Sequence, residues 1–146
     1  MKQTLLITTA LIITSLMLVV GCSSDGIETA DKEAATNFQS TPKAVMEEII
    51  RAANTEDYSN LPLLCAPDGS GDRDTRKYIC AINDADDAGK KEFISYYKTA
   101  KITGEATIEG NNASIPFWFN HPGGEGRSNE TMNMVKIEGK WYLSSF

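Results

Sequence analysis

The sequence predicts an α+β fold in which N-terminal helices pack on a curved, cone-shaped antiparallel sheet of three to four strands. Two observations carry this prediction. Apolar residues recur at helical spacing between Pro42 and Lys98, whereas from Lys101 onward they alternate with polar residues at a period of two. Because the helices precede strands that follow one another through short turns, the sheet is expected to be antiparallel.

Residues 1–21 have the pattern of a secretory signal peptide. Lys2 supplies a positive charge, and Thr4–Val20 contains no charged side chain. The segment Leu18–Ser24 (LVVGCSS) resembles the lipobox of bacterial lipoproteins, in which the cysteine, here Cys22, becomes the lipid attachment site. We therefore expect cleavage before Cys22 and lipid anchoring in the bacterial cell envelope. A cleaved, unlipidated chain and a membrane-spanning anchor are the alternatives, and threonines within the uncharged run disfavour the second.

The remaining chain divides into a lipidated flexible tether, residues 22–40, and a domain, residues 41–146. The tether is rich in small, hydroxyl and acidic residues and has little to bury. The whole chain carries a net charge of −6, and the signal peptide removes one lysine and no acid, which leaves −7. An acidic protein gains nothing from counterion release, so no nucleic-acid partner is expected. If the host has two membranes, Ser23 after the cysteine favours the outer one, by resemblance to the common sorting rule.

Helices are expected in the first half of the domain. Thr41 followed by Pro42 is typical of a helix start, and the helix should run to Ala53. Residues 58–64 are predicted to form a short helical piece interrupted by a proline, and residues 65–83 to be irregular. A further helix is predicted for residues 86–98.

The strands are expected to follow in a meander. Pro116 lacks a backbone donor, so its strand should lie at an edge or carry a bulge there. Met134 lies where the parity of apolar residues changes, which predicts a bulge near it. The predicted strands cover Ile102–Ile108, Ala113–Phe119, Glu130–Ile137 and Trp141–Leu143.

The segments Ala52–Tyr58 (AANTEDY) and Met134–Leu143 (MVKIEGKWYL) resemble parts of a known family. The family comprises small bacterial lipoproteins of unknown function with a nuclear-transport-factor-2-like domain of the cystatin-like fold. The resemblance covers about residues 41–146, and the family often has glycine where this chain has Glu56. It implies a curved sheet wrapped around a long helix, with either an empty core or a ligand pocket inside the cone.

Cys65 and Cys80 are the only cysteines besides Cys22. In an oxidising compartment such a pair most often forms a disulfide, and closing this loop could stabilise the fold by about 3 kcal/mol. Free thiols are one alternative. Zinc is another, but His121 is the only histidine that could join the two cysteines as a ligand.

No catalytic residue, metal ligand or cofactor is predicted. His121 could act as a general base oriented by Glu125, but no serine or cysteine nucleophile stands at a motif position, and a solvent-facing loop histidine is favoured. The segment Asp68–Asp74 alternates oxygen ligands like a calcium loop. Arg73 and Ile79 occupy the positions where that motif needs glycine and glutamate, so a polar loop is favoured.

Two functions remain open from the sequence. Phe117 and Phe119 are expected to face the core, and Trp118, of opposite parity, to lie on the outer face as a partner contact. The inward positions of the predicted hairpin carry no acid: Ile102, Ala106, Ile108, Ala113, Ile115, Phe117 and Phe119. We therefore expect a non-catalytic binding or structural domain whose partner is a protein or a small apolar ligand. An enzyme of the isomerase or dehydratase type that uses a pocket in the cone is the alternative, and the oligomeric state is left open.

Replacing Cys22 with alanine should leave the protein uncleaved and unacylated, because the thiol that accepts the lipid is removed. Detergent partitioning and metabolic lipid labelling, followed by intact-mass measurement, check this expectation. The matched control is Ser24→Ala, which should be processed normally. A Cys22→Ala protein with the same mature mass as the parent would contradict the lipoprotein interpretation.

Overall fold

The structure is a computed structural model that describes residues 37–124 and 126–146, and it confirms the α+β class. Three helices pack against an antiparallel sheet of five strands that does not close on itself. The helices are α1 (Pro42–Thr55), α2 (α-helical Arg73–Thr75 continuing as π-helical Arg76–Cys80) and α3 (Asp87–Tyr97). The strands are β1 (Lys101–Ile102), β2 (Thr107–Glu109), β3 (Asn112–Asn120), β4 (Arg127–Ile137) and β5 (Lys140–Ser145). Short 3₁₀ turns cover Asn37–Gln39, Leu61–Leu64 and Ile82–Asp84.

Helix α1 begins where the sequence predicts. The Thr41 side chain accepts a hydrogen bond of 3.1 Å from the Ala44 amide, which satisfies one of the free donors of the first turn. The helix ends at Glu56, whose φ of 58° is left-handed, a conformation that glycine adopts more readily than glutamate. Its buried face packs on β3 and β5 and comprises Val45, Met46, Ile49, Ala52 and Ala53.

The fold begins earlier than the predicted domain boundary. Phe38 packs against the core, and Gln39 is buried. The Gln39 side-chain amide donates to the carbonyl oxygens of Leu63 at 2.9 Å and of Trp141 at 3.3 Å. These two residues were expected in the tether because they lie between polar residues, but a buried glutamine with two backbone partners is part of the domain.

The segment between α1 and α3 is more regular than the sequence predicts. Pro62 occupies the first turn of the 3₁₀ helix at Leu61–Leu64, where a missing amide costs nothing, so it helps to begin this helix rather than interrupting it. Helix α2 lies within residues expected to be irregular. Asp72 caps it, because the Asp72 side chain accepts a 2.6 Å hydrogen bond from the Thr75 amide.

Strand β3 lies inside the sheet rather than at an edge. The order is β1-β3-β4-β5, with β2 also paired to β3 beside β1. The Thr103 amide donates to the Pro116 carbonyl across the β1–β2 side of β3. Because the N–H and C=O of one strand residue point in the same direction, the amide that Pro116 lacks would also have faced β1 and β2. The edge strand therefore breaks into β1 and β2 opposite Pro116, and this break makes the sheet five-stranded.

The irregularity predicted near Met134 is confirmed, and the extra residue lies in the partner strand. Asn133 pairs with Ser145 and Met134 pairs with Leu143, so Ser144 is unpaired in β5. The Ser144 carbonyl instead accepts a 2.7 Å hydrogen bond from the Asp72 amide. The bulge thus joins the sheet to the residue that caps α2.

The predicted parity of β3 is confirmed, with one difference in β2. Phe117 is 1% exposed and Phe119 is 8% exposed. Ile108 pairs with buried Ala113 but is 55% exposed, because β2 lies at the sheet edge. Trp118 faces outward but is half-buried, since the Arg127 guanidinium lies 3.7 Å from its ring centre.

Phe117→Ala should lower the free energy of unfolding by about 3–5 kcal/mol because it leaves a cavity in the core. Trp118→Ala on the same strand should lower it by about 1 kcal/mol or less, because it removes mainly the contact with Arg127. Urea denaturation of both variants measures the difference. The reverse order of the two losses would show that the strand parity is inverted.

Candidate functional site

A cleft of about 390 Å³ opens between α2, α3, one end of β3 and β4, and the C-terminal residue. This volume lies within the range of small-molecule sites. Aromatic side chains supply most of the lining, and three carboxylates complete it. The lining residues are Asp74, Tyr78, Glu92, Phe93, Tyr96, Tyr97, Phe117, Phe119, Glu130 and Phe146.

Helix α3 supplies four of the lining residues. It begins close to the predicted start at residue 86, and Asp86 caps it, because the Asp86 side chain accepts a 2.8 Å hydrogen bond from the Gly89 amide. Phe93 and Tyr97, four residues apart, share the buried face of the helix and have ring centres 4.9 Å apart. Glu92 is exposed and Tyr96 is half-buried. The helix thus presents aromatic rings toward the sheet and a carboxylate toward solvent.

The inner face of β3 forms the aromatic wall opposite α3. The Tyr97 and Phe117 rings stack with centres 6.4 Å apart and an interplanar angle of 25°. The Tyr96 ring meets Phe119 edge-on at 5.1 Å. Such edge-on and stacked pairs are favourable geometries, so the rings of this wall stabilise one another.

Strand β4 places an acid in the cleft. Glu130 pairs with Phe117 across the sheet, and directly opposed residues of antiparallel strands point to the same face. Glu130 is exposed, and its carboxylate accepts a 3.0 Å hydrogen bond from the Ser128 hydroxyl. The expectation that no acid faces the cone considered only the hairpin ending in β3. Met132 and Met134 face inward on β4, and Glu130 lies two residues before Met132 with the same parity. Applying the alternation to β4 as well as to the hairpin would have identified Glu130 as an inward-facing acid.

Helix α2 is held in place by the disulfide predicted between Cys65 and Cys80, which is confirmed with Cα atoms 5.9 Å apart. Cys65 itself forms a parallel bridge with Leu143 of β5. The helix carries Asp74 and Tyr78 into the lining. Residues 65–80, which the sequence predicts to be irregular, therefore form a disulfide-closed loop that lines one side of the cleft.

Tyr97 presents a polar group inside the cleft. The residue is only 4% exposed, and burial, followed by the nearby Glu130 charge, raises the pKa of its hydroxyl, so the phenol stays protonated. Among the described residues none hydrogen-bonds this hydroxyl, and only the Thr75 oxygen is both sealed from solvent and unpartnered. Tyr97 lines the cleft, and its hydroxyl is not sealed from solvent.

Among the described residues, the others singled out from the sequence do not line the cleft, although the His121 ring meets the ring of the lining residue Tyr96 edge-on with centres 6.3 Å apart. Cys22 and Glu125 are outside the described residues, so lipid attachment and the proposed orienter of His121 are not visible. His121 is a loop residue whose Nδ1 accepts a 3.3 Å hydrogen bond from the Gly123 amide. Trp118 lies on the opposite face of the sheet from the cleft. Within residues 37–124 and 126–146, no group of three or more metal-ligating side chains could hold a metal ion.

The arrangement suits recognition better than acid–base chemistry. Glu92 and Glu130 are exposed, whereas catalytic carboxylates are typically desolvated in an apolar pocket.

Within the described part of the chain, no helix is long and apolar enough to span a membrane. No family model, curated protein or solved structure matches this chain.

Replacing both Cys65 and Cys80 with serine should lower the free energy of unfolding by about 3 kcal/mol, because the unfolded chain loses a covalent loop. Denaturant unfolding under non-reducing conditions measures this change. The parent protein, reduced and alkylated after unfolding, serves as the control for the loss of the bond alone. Two alkylatable thiols in the native, unreduced parent would contradict the disulfide.

Proposed function

We propose that this chain is a lipid-anchored lipoprotein of the bacterial cell envelope whose domain binds a small ligand in the aromatic cleft without catalysis. The observation that carries the binding role is the cleft itself. Its walls are packed aromatic rings, and the buried residue Tyr97 contributes a hydroxyl to the lining. Ligand sites typically combine an apolar lining with a few polar groups that orient the ligand.

The anchoring role depends on the sequence before the described residues. The signal peptide pattern and Cys22 support lipidation, and an acidic body would not be attracted to an anionic membrane surface without it. The described chain begins at residue 37, and Gln39 is already tied to β5. The tether proposed between Cys22 and this point is supported by its small, hydroxyl and acidic composition, which leaves little to bury.

An enzyme of the isomerase or dehydratase type is the second candidate. The observation in its favour is the position of Glu130 beside Phe117 at the aromatic wall. A carboxylate beside an apolar surface is the group that would move a proton in such chemistry. The exposure of Glu130 favours recognition of charge instead, so we place binding first.

Three of the chain's five tyrosines line the cleft and report on it directly. Titration of the mature lipoprotein in maltoside micelles with benzyl alcohol should shift the ¹³C-labelled ring signals of Tyr78, Tyr96 and Tyr97. The signal of Tyr142 should not move, because this residue lies on the outer face of the sheet. Saturable shifts confined to the three cleft tyrosines support the proposal. Uniform shifts, or none, would contradict it.

A further inference from the structure

The charge of the cleft lining is of one sign. Its ionisable residues, apart from the tyrosines, are Asp74, Glu92 and Glu130, and no lysine, arginine or histidine is among the lining residues. Within the described part of the chain, neither Glu92 nor Glu130 takes part in an ion pair, and Asp74 meets only the exposed Arg73, at 3.5 Å. Two carboxylates therefore border the cleft without a cation to neutralise them.

The aromatic rings of the lining also favour a positively charged ligand. The faces of phenylalanine and tyrosine rings carry negative electrostatic potential and attract cations, most strongly where water is excluded. One ring of the lining already attracts a cation of this chain, because the Lys77 ammonium lies 4.6 Å from the centre of the Tyr78 ring. Lys77 is not a lining residue, and the half-buried ring of Tyr96 is open to a ligand.

The Tyr97 hydroxyl adds a polar contact at depth. It has no hydrogen-bond partner among the described residues, and although the residue is only 4% exposed, the hydroxyl is not among the atoms sealed from solvent, so it can bind water or a ligand. Its oxygen can accept a hydrogen bond from an ammonium N–H. The hydroxyl is an observation independent of the carboxylates, and both favour the same kind of ligand.

We propose that the cleft selects a free organic cation, an ammonium group carried on a small apolar body. This inference rests on the proposed binding function and adds the class of ligand. The apolar body would lie against Phe119 and the half-buried ring of Tyr96, while the ammonium would lie near the Tyr97 hydroxyl and the carboxylates of Glu92 and Glu130. An anion of the same size would meet two unneutralised carboxylates and would be rejected.

Three probes with one ring and different charges test the selection: benzylammonium, benzyl alcohol and benzoate. Dissociation constants come from the tyrosine ring signals of the mature lipoprotein in maltoside micelles, which contain no cation. Benzylammonium should bind about 3- to 30-fold more tightly than benzyl alcohol, the range expected for a partly desolvated cation on aromatic rings. Benzoate should not bind measurably.

Charge-neutralising variants locate the effect. Glu92→Gln and Glu130→Gln should each lower the preference for benzylammonium over benzyl alcohol by about two- to fivefold, as expected for exposed charges. Glu109→Gln, an exposed acid on β2 outside the cleft, is the matched control and should change neither constant. Equal losses in all three variants would show a general charge effect and would overturn the assignment to the cleft.

The possible outcomes distinguish failure of cation selection from failure of the proposed binding function. Equal binding of benzylammonium and benzyl alcohol at the cleft would overturn cation selection and leave the binding function in place. Failure of both probes to bind would overturn both. Hexylammonium and a short-chain phosphatidylethanolamine serve as competitors: displacement by hexylammonium supports a free ammonium compound, and displacement by the lipid alone would overturn it.

Discussion

The pairing of β3 with β4 determines the rest of this structure. Nine residue pairs join the two strands, from Asn112 with Val135 to Asn120 with Arg127. Because side chains alternate along a strand, this register decides which residues reach the helices. It turns Phe117 and Met132 inward, and it places Glu130 beside Phe117. A shift of one residue would expose the core row of β4 and move that acid to the outer face.

Local patterns in the sequence predicted the elements that local interactions specify. The cap of α1 at Thr41, the helix beginning after Asp86 and the alternation of β3 all depend on neighbours within a few residues. The disulfide partners followed from a count of cysteines. Helix α2 was missed because its stability comes from distant groups: the bond between Cys65 and Cys80, and the Ser144 carbonyl that fixes the Asp72 amide. No periodicity within residues 65–83 reports such contacts.

In the cleft, too, some features follow from local sequence patterns and others only from tertiary contacts. Its rings on α3 and β3 could be assigned from periodicity, since Phe93, Tyr97 and Phe117 each follow the apolar pattern of their element. Its carboxylates come from three separate elements, α2, α3 and β4, and only the tertiary arrangement brings them to one opening. The electrostatic character of the cleft is thus a property of the tertiary structure, and no local sequence motif encodes it.

The break opposite Pro116 has a consequence for how copies of this protein behave beside one another. Unpaired backbone groups along an exposed sheet edge can recruit the strand of another molecule and start aggregation. Here the β1–β2 edge offers only segments of two and three residues, separated by a kink where Gly104 approaches the Pro116 ring. The opposite edge, β5, is partly covered through the bridge from Cys65 to Leu143. Both borders of the sheet are therefore poor templates for intermolecular β-pairing, even at the crowding that confinement to a surface would produce.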